Sequence, residues 1–227
     1  MVEQATLDGK PHLIITADAS ALVLARRDPE FLQLFQHASL VTADGAGVLK
    51  ALRMKGAHLK ERCSGCDLAV DIAQAARDNE WRLFMLGAAP GVARQAALVL
   101  EQRFPGLQVV GVQDGYFTDD DAVVDRIAAL KPDILLIAMG MPRQEKWFWK
   151  HRERLGVKVA MGVGGTFDVL SGTVKRAPEF FQRHGLEWLY RLASNPKKMA
   201  KVALLPTFAA LALAEISQRK HTPKSTR

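Results

Sequence analysis

Cysteine is scarce in this 227-residue chain: only Cys63 and Cys66 occur, as a lone C-x-x-C. A structural zinc site needs four ligands, and no second cysteine pair or nearby histidine completes one. A redox role needs the right surrounding fold, so the pair reads as two reduced thiols of a cytosolic protein. No G-x-x-x-x-G-K-[ST] run is present, and no G-x-G-x-x-G follows the first apolar run; this argues against an ATPase and weakens a nicotinamide reading. The opening MVEQATLDGK has no apolar stretch, so no secretory leader is expected. The longest late apolar segment, Val202 to Ile216, is interrupted by Pro206 and ends beside Glu215. That is short of the roughly 20 residues a membrane-crossing helix needs. Internal repeats and low-complexity linkers are also absent.

What is present is a chain 48% hydrophobic and 24% charged, enough for one sizeable core with a small appendage. The net charge of +7 favours acidic partners: nucleic acid, phosphorylated substrates or an anionic membrane face. Short apolar runs predict strands at His12–Thr16, Leu40–Thr42, Arg82–Leu86, Gln108–Val112, Ile134–Met139 and Lys158–Val163. Amphipathic runs predict helices near Ala19–His37, Asp67–Asn79, Gly91–Phe104, Asp119–Leu130 and Pro142–Leu155. This alternation predicts an α/β fold, a Rossmann-like, mostly parallel sheet with helices on both faces. Continuous apolar runs such as ILLIAM suit strands buried on both sides. The body is expected over residues 1–172. Residues 173–227 are expected to form a basic, aromatic C-terminal helical appendage with an apolar, membrane-associating tail.

In such sheets ligands bind outside the carboxyl ends of the strands. The loops expected there read Thr16-Ala17-Asp18, Ala43-Asp44-Gly45, Gly87-Ala88-Ala89-Pro90-Gly91, Asp114-Gly115-Tyr116-Phe117, Gly140-Met141-Pro142-Arg143-Gln144-Glu145 and Gly162-Val163-Gly164-Gly165-Thr166-Phe167-Asp168. Small residues between Gly87 and Gly91 let backbone amides approach a phosphate at a helix N-terminus. Gly164 and Gly165 offer a second close approach, with Asp168 able to accept from ribose hydroxyls or a base; the competing reading is a tight turn with Asp168 on the surface. Asp119-Asp120-Asp121 has the D-x-D spacing of a metal-holding motif. Thr118 and three acids before an apolar helix make a better N-terminal cap, so no metal is assigned. Asp44 should project from the ligand edge, where a carboxylate can serve as a general base or merely cap a helix. Lys197, Lys198 and Lys201 before the apolar tail, and Arg219, Lys220, Lys224 and Arg227 after it, suit a helix lying in an anionic membrane interface.

Together these segments resemble the WecG/TagA/CpsF family of bacterial glycosyltransferases, from about Leu13 to Lys201. The marks are TADGAGVLKALRMKG, ERCSGCDL, LFMLGAAPGVA, FPGLQVVGVQDGYF, PDILLIAMGMPRQEKW, MGVGGTFDVLSGTVKRAP and GLEWLYRL. The resemblance implies a metal-independent, inverting enzyme that moves a sugar, often N-acetylmannosamine or its uronate, from UDP to an undecaprenyl-diphosphate-linked sugar. Such products feed teichoic acid, common antigen or exopolysaccharide synthesis. By the same resemblance the proposed base is Asp44, and Thr16 and Gln144 complete the expected catalytic set. The expected substrate-binding residues are Asp18, Gly87, Gly91, Tyr116, Gly140, Glu145, Gly164, Gly165, Asp168, Arg176 and Arg191. Arg191 belongs to E-W-L-Y-R, in the appendage that the resemblance places over the active site. Asp18 departs from the asparagine usual there, and lysines stand where the family is richer in arginine, which loses the bidentate fork.

The expected substrates are therefore a UDP-sugar and a lipid-diphosphate-linked acceptor, with no cofactor. The expected location is cytoplasmic, peripheral on the inner face of the membrane, with weak self-association at most. Two other readings start from the same residues. A nicotinamide-dependent oxidoreductase lacks its glycine fingerprint here. A nucleic-acid-binding protein should spread basic and aromatic residues over one face, whereas the basic excess gathers in the C-terminal segment.

Overall fold

The computed structural model describes residues 10–57, 59, 63–178, 180–181, 189–190 and 203–221, the side chains of 215–221 excepted. Arg191, Lys197, Lys198 and Lys201 lie outside the described residues. Six strands form one parallel sheet: β1 (His12–Ala17), β2 (Leu40–Ala43), β3 (Arg82–Gly87), β4 (Gln108–Gln113), β5 (Ile134–Ala138) and β6 (Val159–Gly162), in the order β2-β1-β6-β5-β3-β4. The central pairs β1/β6, β6/β5 and β5/β3 are parallel, as is β3/β4. β5 is buried along its whole length, which its unbroken apolar run requires.

The described helices are α1 (Ala19–Arg27), α2 (Pro29–His37), α3 (Ala46–Met54), α4 (Gly65–Asp78), α5 (Val92–Arg103), α6 (Asp120–Leu130), α7 (Arg143–Leu155), α8 (Thr166–Leu170) and α9 (Leu205–His221). The single helix expected over Ala19–His37 is two. Asp28 is extended, with φ −123° and ψ 100°, because Pro29 follows it; proline clashes with a helical predecessor and then starts α2. The helix after Asp44 and the short one after Gly165 were not expected. The first follows Gly45 at φ +106°, and the second is only five residues.

Alternation along the strands divides the core between the faces of the sheet. Leu83, Met85, Ile134, Leu136, Val159 and Met161 cluster with Ala69, Ala73, Ala96, Leu100 and Phe167, so α4, α5 and α8 cover one face. The intervening Phe84, Leu86, Leu135 and Ile137 are as deeply buried and point the other way. There α7 packs on α2 and α6. Small residues on α4 and α5 let these helices lie close to the sheet.

Strand order creates the ligand edge. From β3 the chain steps outward to β4, whereas from β5 it steps the opposite way to β6. The loops after β3 and β5 therefore lead to helices on opposite faces and part at the carboxyl ends of these neighbouring strands.

Contacts group the described chain into two compact units. One contains residues 10–16, 29–42 and 64–176; the other contains 17–28, 43–57, 59, 63 and the described residues from 177 onward. In the second unit α9 packs on α1, and Phe208 approaches Gly47. Phe180, Phe181 and Tyr190 form a ring cluster there, with centroids 5.8 Å and 5.5 Å apart. Among the described residues no helix is long and apolar enough to cross a membrane.

Candidate active site

The loops after β3, β4 and β5 are packed backbone on backbone. Ala88 N–H donates to Ala138 O at 2.8 Å, and Gly115 N–H donates to Ala88 O at 2.9 Å. A β-carbon on Gly87 (φ +118°) would lie 2.5 Å from the Ala138 carbonyl carbon, so only glycine permits this seam. Gly91, at φ +82°, opens α5, whose first turn has no acidic residue to oppose an anion. Tyr116 follows the seam and is 76% exposed, its N–H bonded to the Asp114 carboxylate.

Next to this seam lies a buried polar cluster. Gln144 and Glu145 begin α7, yet each is 1% exposed. Gln144 Oε1 accepts from Gly140 N–H at 3.0 Å and from Gly164 N–H at 3.2 Å, tying the loop after β5 to the loop after β6. Gln144 Nε2 donates to Glu145 Oε1 at 2.7 Å. A β-carbon at Gly162 would lie 2.5 Å from Glu145 Oε1 and closer still to Gln144 Nε2. Gly162 O accepts from Thr16 Oγ1 at 3.4 Å, and Thr16 packs against Gly65 at the start of α4. Thr16, Gly140, Gln144, Glu145 and Gly164 are thus brought together.

Asp168 is half-buried in the first turn of α8, and its carbonyl accepts from Val174 N–H and Ser171 Oγ. Arg176 forks onto Asp67 with two contacts of 2.7 Å. Exposed Gly165 is the residue before α8.

In the second unit, Asp18 caps α1: its Oδ1 accepts from Ala21 N–H at 2.8 Å and from Ser20 Oγ at 2.5 Å. Half-buried Asp44 directly follows β2, and its N–H donates to Ala17 O at 2.9 Å. Gly45 stands between Asp44 and α3, whose N-terminus takes no side-chain cap bond from it.

The three consecutive aspartates are each engaged with different partners. Asp119, rather than Thr118, caps α6 through Ala122 N–H at 3.0 Å. Asp120 accepts from Trp147 Nε1 at 3.0 Å and pairs with Lys150 at 3.3 Å, with His151 Nε2 also 3.3 Å away. Asp121 pairs with Arg154, which also holds Asp125. Burial pushes the Asp120 carboxyl up, but hydrogen bonds from Trp147, His151 and Lys150 outweigh it and leave the carboxyl below its usual range. Phe117 stacks edge-on against Trp147, and Arg143 lies 5.9 Å from the Phe117 ring centre. This brace between α6 and α7 was missed from sequence. Its only signal was Trp147 and His151 one helical turn apart on an otherwise charged helix.

A family model for glycosyl transferases of the WecG/TagA/CpsF type matches residues 1–222, nearly the whole chain. The chain belongs to the WecG/TagA/CpsF family. It is a glycosyltransferase, built on a parallel sheet with glycine-rich loops at the carboxyl ends of its strands. Three similar proteins are named N-acetylglucosaminyldiphosphoundecaprenol N-acetyl-beta-D-mannosaminyltransferase. The protein of Bacillus spizizenii W23 is 36% identical over 204 residues, covering 90% of this chain and 79% of the relative. That of Staphylococcus aureus MRSA252 is 34% identical, covering 86% and 77%. That of Bacillus subtilis 168 is 31% identical, covering 96% and 86%. Neither an oxidoreductase nor a nucleic-acid-binding protein finds support in these likenesses.

Proposed function

We propose that this glycosyltransferase moves an N-acetyl-β-D-mannosaminyl group from a UDP donor to N-acetylglucosaminyl-diphosphoundecaprenol. The observation that carries the reading is the likeness, across most of the chain, to three relatives that share this one named activity, on a family match to residues 1–222. The donor's diphosphate would meet the loops after β3 and β5, where glycines let backbone amides approach and the positive end of the α5 dipole stabilises negative charge. Asp168 would accept from the nucleoside. Gln144, whose amide oxygen is spent on Gly140 and Gly164, would act by shaping the loops after β5 and β6.

Asp44 is proposed as the general base. It leaves the carboxyl end of a parallel strand and is followed by a glycine, which leaves room for an acceptor hydroxyl. Its carboxylate would take the hydroxyl proton as that oxygen attacks the anomeric carbon on the face opposite UDP. The C–O bond to UDP breaks, UDP leaves with the electron pair, and the anomeric configuration inverts. Arg191 is proposed to help meet the charge developing on UDP. The basic C-terminal segment is proposed to hold the enzyme on the inner, anionic face of the membrane where the acceptor resides.

The test is a donor panel of UDP-sugars with purified protein and a lipid-diphosphate N-acetylglucosamine acceptor, reading released UDP and product mass. UDP-N-acetylmannosamine should be the preferred donor. Asp44→Asn should lower kcat by about 10²–10⁴-fold while UDP affinity stays near wild type. An Asp44→Asn variant with near-wild-type turnover would remove Asp44 from the mechanism. A panel in which no UDP-sugar is consumed would remove the donor class.

A further inference from the structure

We propose that Glu145 is a positioning residue: its buried carboxylate locks the Gln144 amide in the orientation that draws the Gly140 and Gly164 N–H groups together. The spacing of the loops after β5 and β6 would then be set from inside the protein before any ligand arrives.

The orientation of the amide follows from its partners. Gly140 and Gly164 each present a backbone N–H, which can only donate, so the atom facing both must be Gln144 Oε1. The other end is then Nε2, which can only donate, and it meets Glu145 Oε1 at 2.7 Å. A carboxylate accepts at both oxygens and offers this amide no competing donor. With both side chains 1% exposed, water cannot substitute for either end.

The strand beneath is shaped to the same pair. Gly162 ends β6, and any β-carbon there would collide with both the Gln144 amide and the Glu145 carboxylate. The space a side chain would fill is occupied by the hydrogen bond itself. Gly162 O in turn receives Thr16 Oγ1, so the pair also reaches the end of β1.

Hydrogen exchange of the ligand-free full chain tests this directly. Glu145→Met keeps the bulk and removes the acceptor, whereas Glu145→Gln keeps a carbonyl oxygen at the same reach. In Glu145→Met the Gly140 and Gly164 amides should exchange at least about tenfold faster, while the Leu136 and Phe84 amides in the central strands keep their wild-type rates. Glu145→Gln should hold both glycine amides within about threefold of wild type. Wild-type protection in Glu145→Met overturns the proposal. So does a loss in Glu145→Gln as large as that in Glu145→Met, which would make the charge, not the hydrogen bond, the working feature. Should Glu145→Met not fold, Glu145→Ala, which also removes the acceptor, takes its place on the same thresholds, with Glu145→Gln kept as the comparison.

The consequence for turnover rests on the function proposed above. If the two loops meet the donor, Glu145→Met should raise the donor KM by about tenfold and leave the acceptor KM unchanged, with Glu145→Gln restoring it. A wild-type chain that transfers no sugar would refute that function, while the exchange rates would still decide the role of Glu145.

Discussion

A methyl group at Gly162 has nowhere to go, because the atoms it would strike are the buried ends of two fixed side chains rather than mobile tips. Gly162→Ala should therefore cost about 1–3 kcal/mol in urea unfolding and disturb the Gln144 pair. At Gly91 the space is open and the obstacle is the backbone: φ is +82°, which an L side chain resists, so Gly91→Ala should cost about 1 kcal/mol in urea unfolding. At the opposite edge of the sheet, Asp133 accepts from Arg82 N–H at 2.9 Å and pairs with Lys158 at 2.8 Å. Burial pushes its carboxyl up, but the Arg82 N–H and Lys158 outweigh that and hold it below the usual range. A depressed folded-state pKa contributes stability that is present above the unfolded value, near 4, and is lost as pH falls through the folded one. Asp133→Asn should thus lower Tm at pH 7, by about 1–3 kcal/mol in stability, and the gap to wild type should close below about pH 4.

Between α6 and α7 the Asp120 carboxylate acts as a shared acceptor. Trp147→Phe removes the indole donor but keeps most of the ring that stacks on Phe117; it should cost about 1 kcal/mol by denaturant titration. Asp120→Ala strips Trp147, Lys150 and His151 of the same acceptor and should cost more, about 1.5–3 kcal/mol. Elements of this kind show where sequence reading succeeds and fails. The strands were legible because an apolar run four to six residues long between turn residues has few other uses; each was placed to within one residue at either end. Helices failed where a local event overrode periodicity: Pro29 split one expected helix, and α8 is too short to show a period. In the site, the glycine loops were visible as text, but the burial of Gln144 and Glu145 was not. Both were expected at the ligand edge, but nothing in the spacing of two adjacent polar residues opening a helix shows that they are sealed inside; only the missing β-carbon at Gly162, across the sheet edge, makes room for them.

At the scale of the whole molecule, charge is divided unevenly along the chain. Residues 173–227 hold 11 of the 31 lysines and arginines but 3 of the 24 acids, so the net charge of +7 is more than accounted for by that segment. A self-contained soluble enzyme has no need for such a division, whereas one whose acceptor is anchored in an anionic bilayer gains from it: each cation near the surface contributes about 1 kcal/mol, screened by salt within a Debye length of about 10 Å at 0.1 M. The protein should therefore co-sediment with vesicles containing phosphatidylglycerol at low ionic strength and be substantially released by about 0.5 M salt. Vesicles of phosphatidylcholine alone should retain much less. Replacing Lys175 and Lys224 by glutamine should weaken vesicle binding by about tenfold, since two contributions of about 1 kcal/mol are lost in part to screening. Transfer to a water-soluble, short-chain acceptor should stay within about twofold, because catalysis on a soluble acceptor does not draw on that surface attraction. Equal retention on neutral and anionic vesicles would assign membrane attachment to apolar contacts instead, and the lysines would then serve another end.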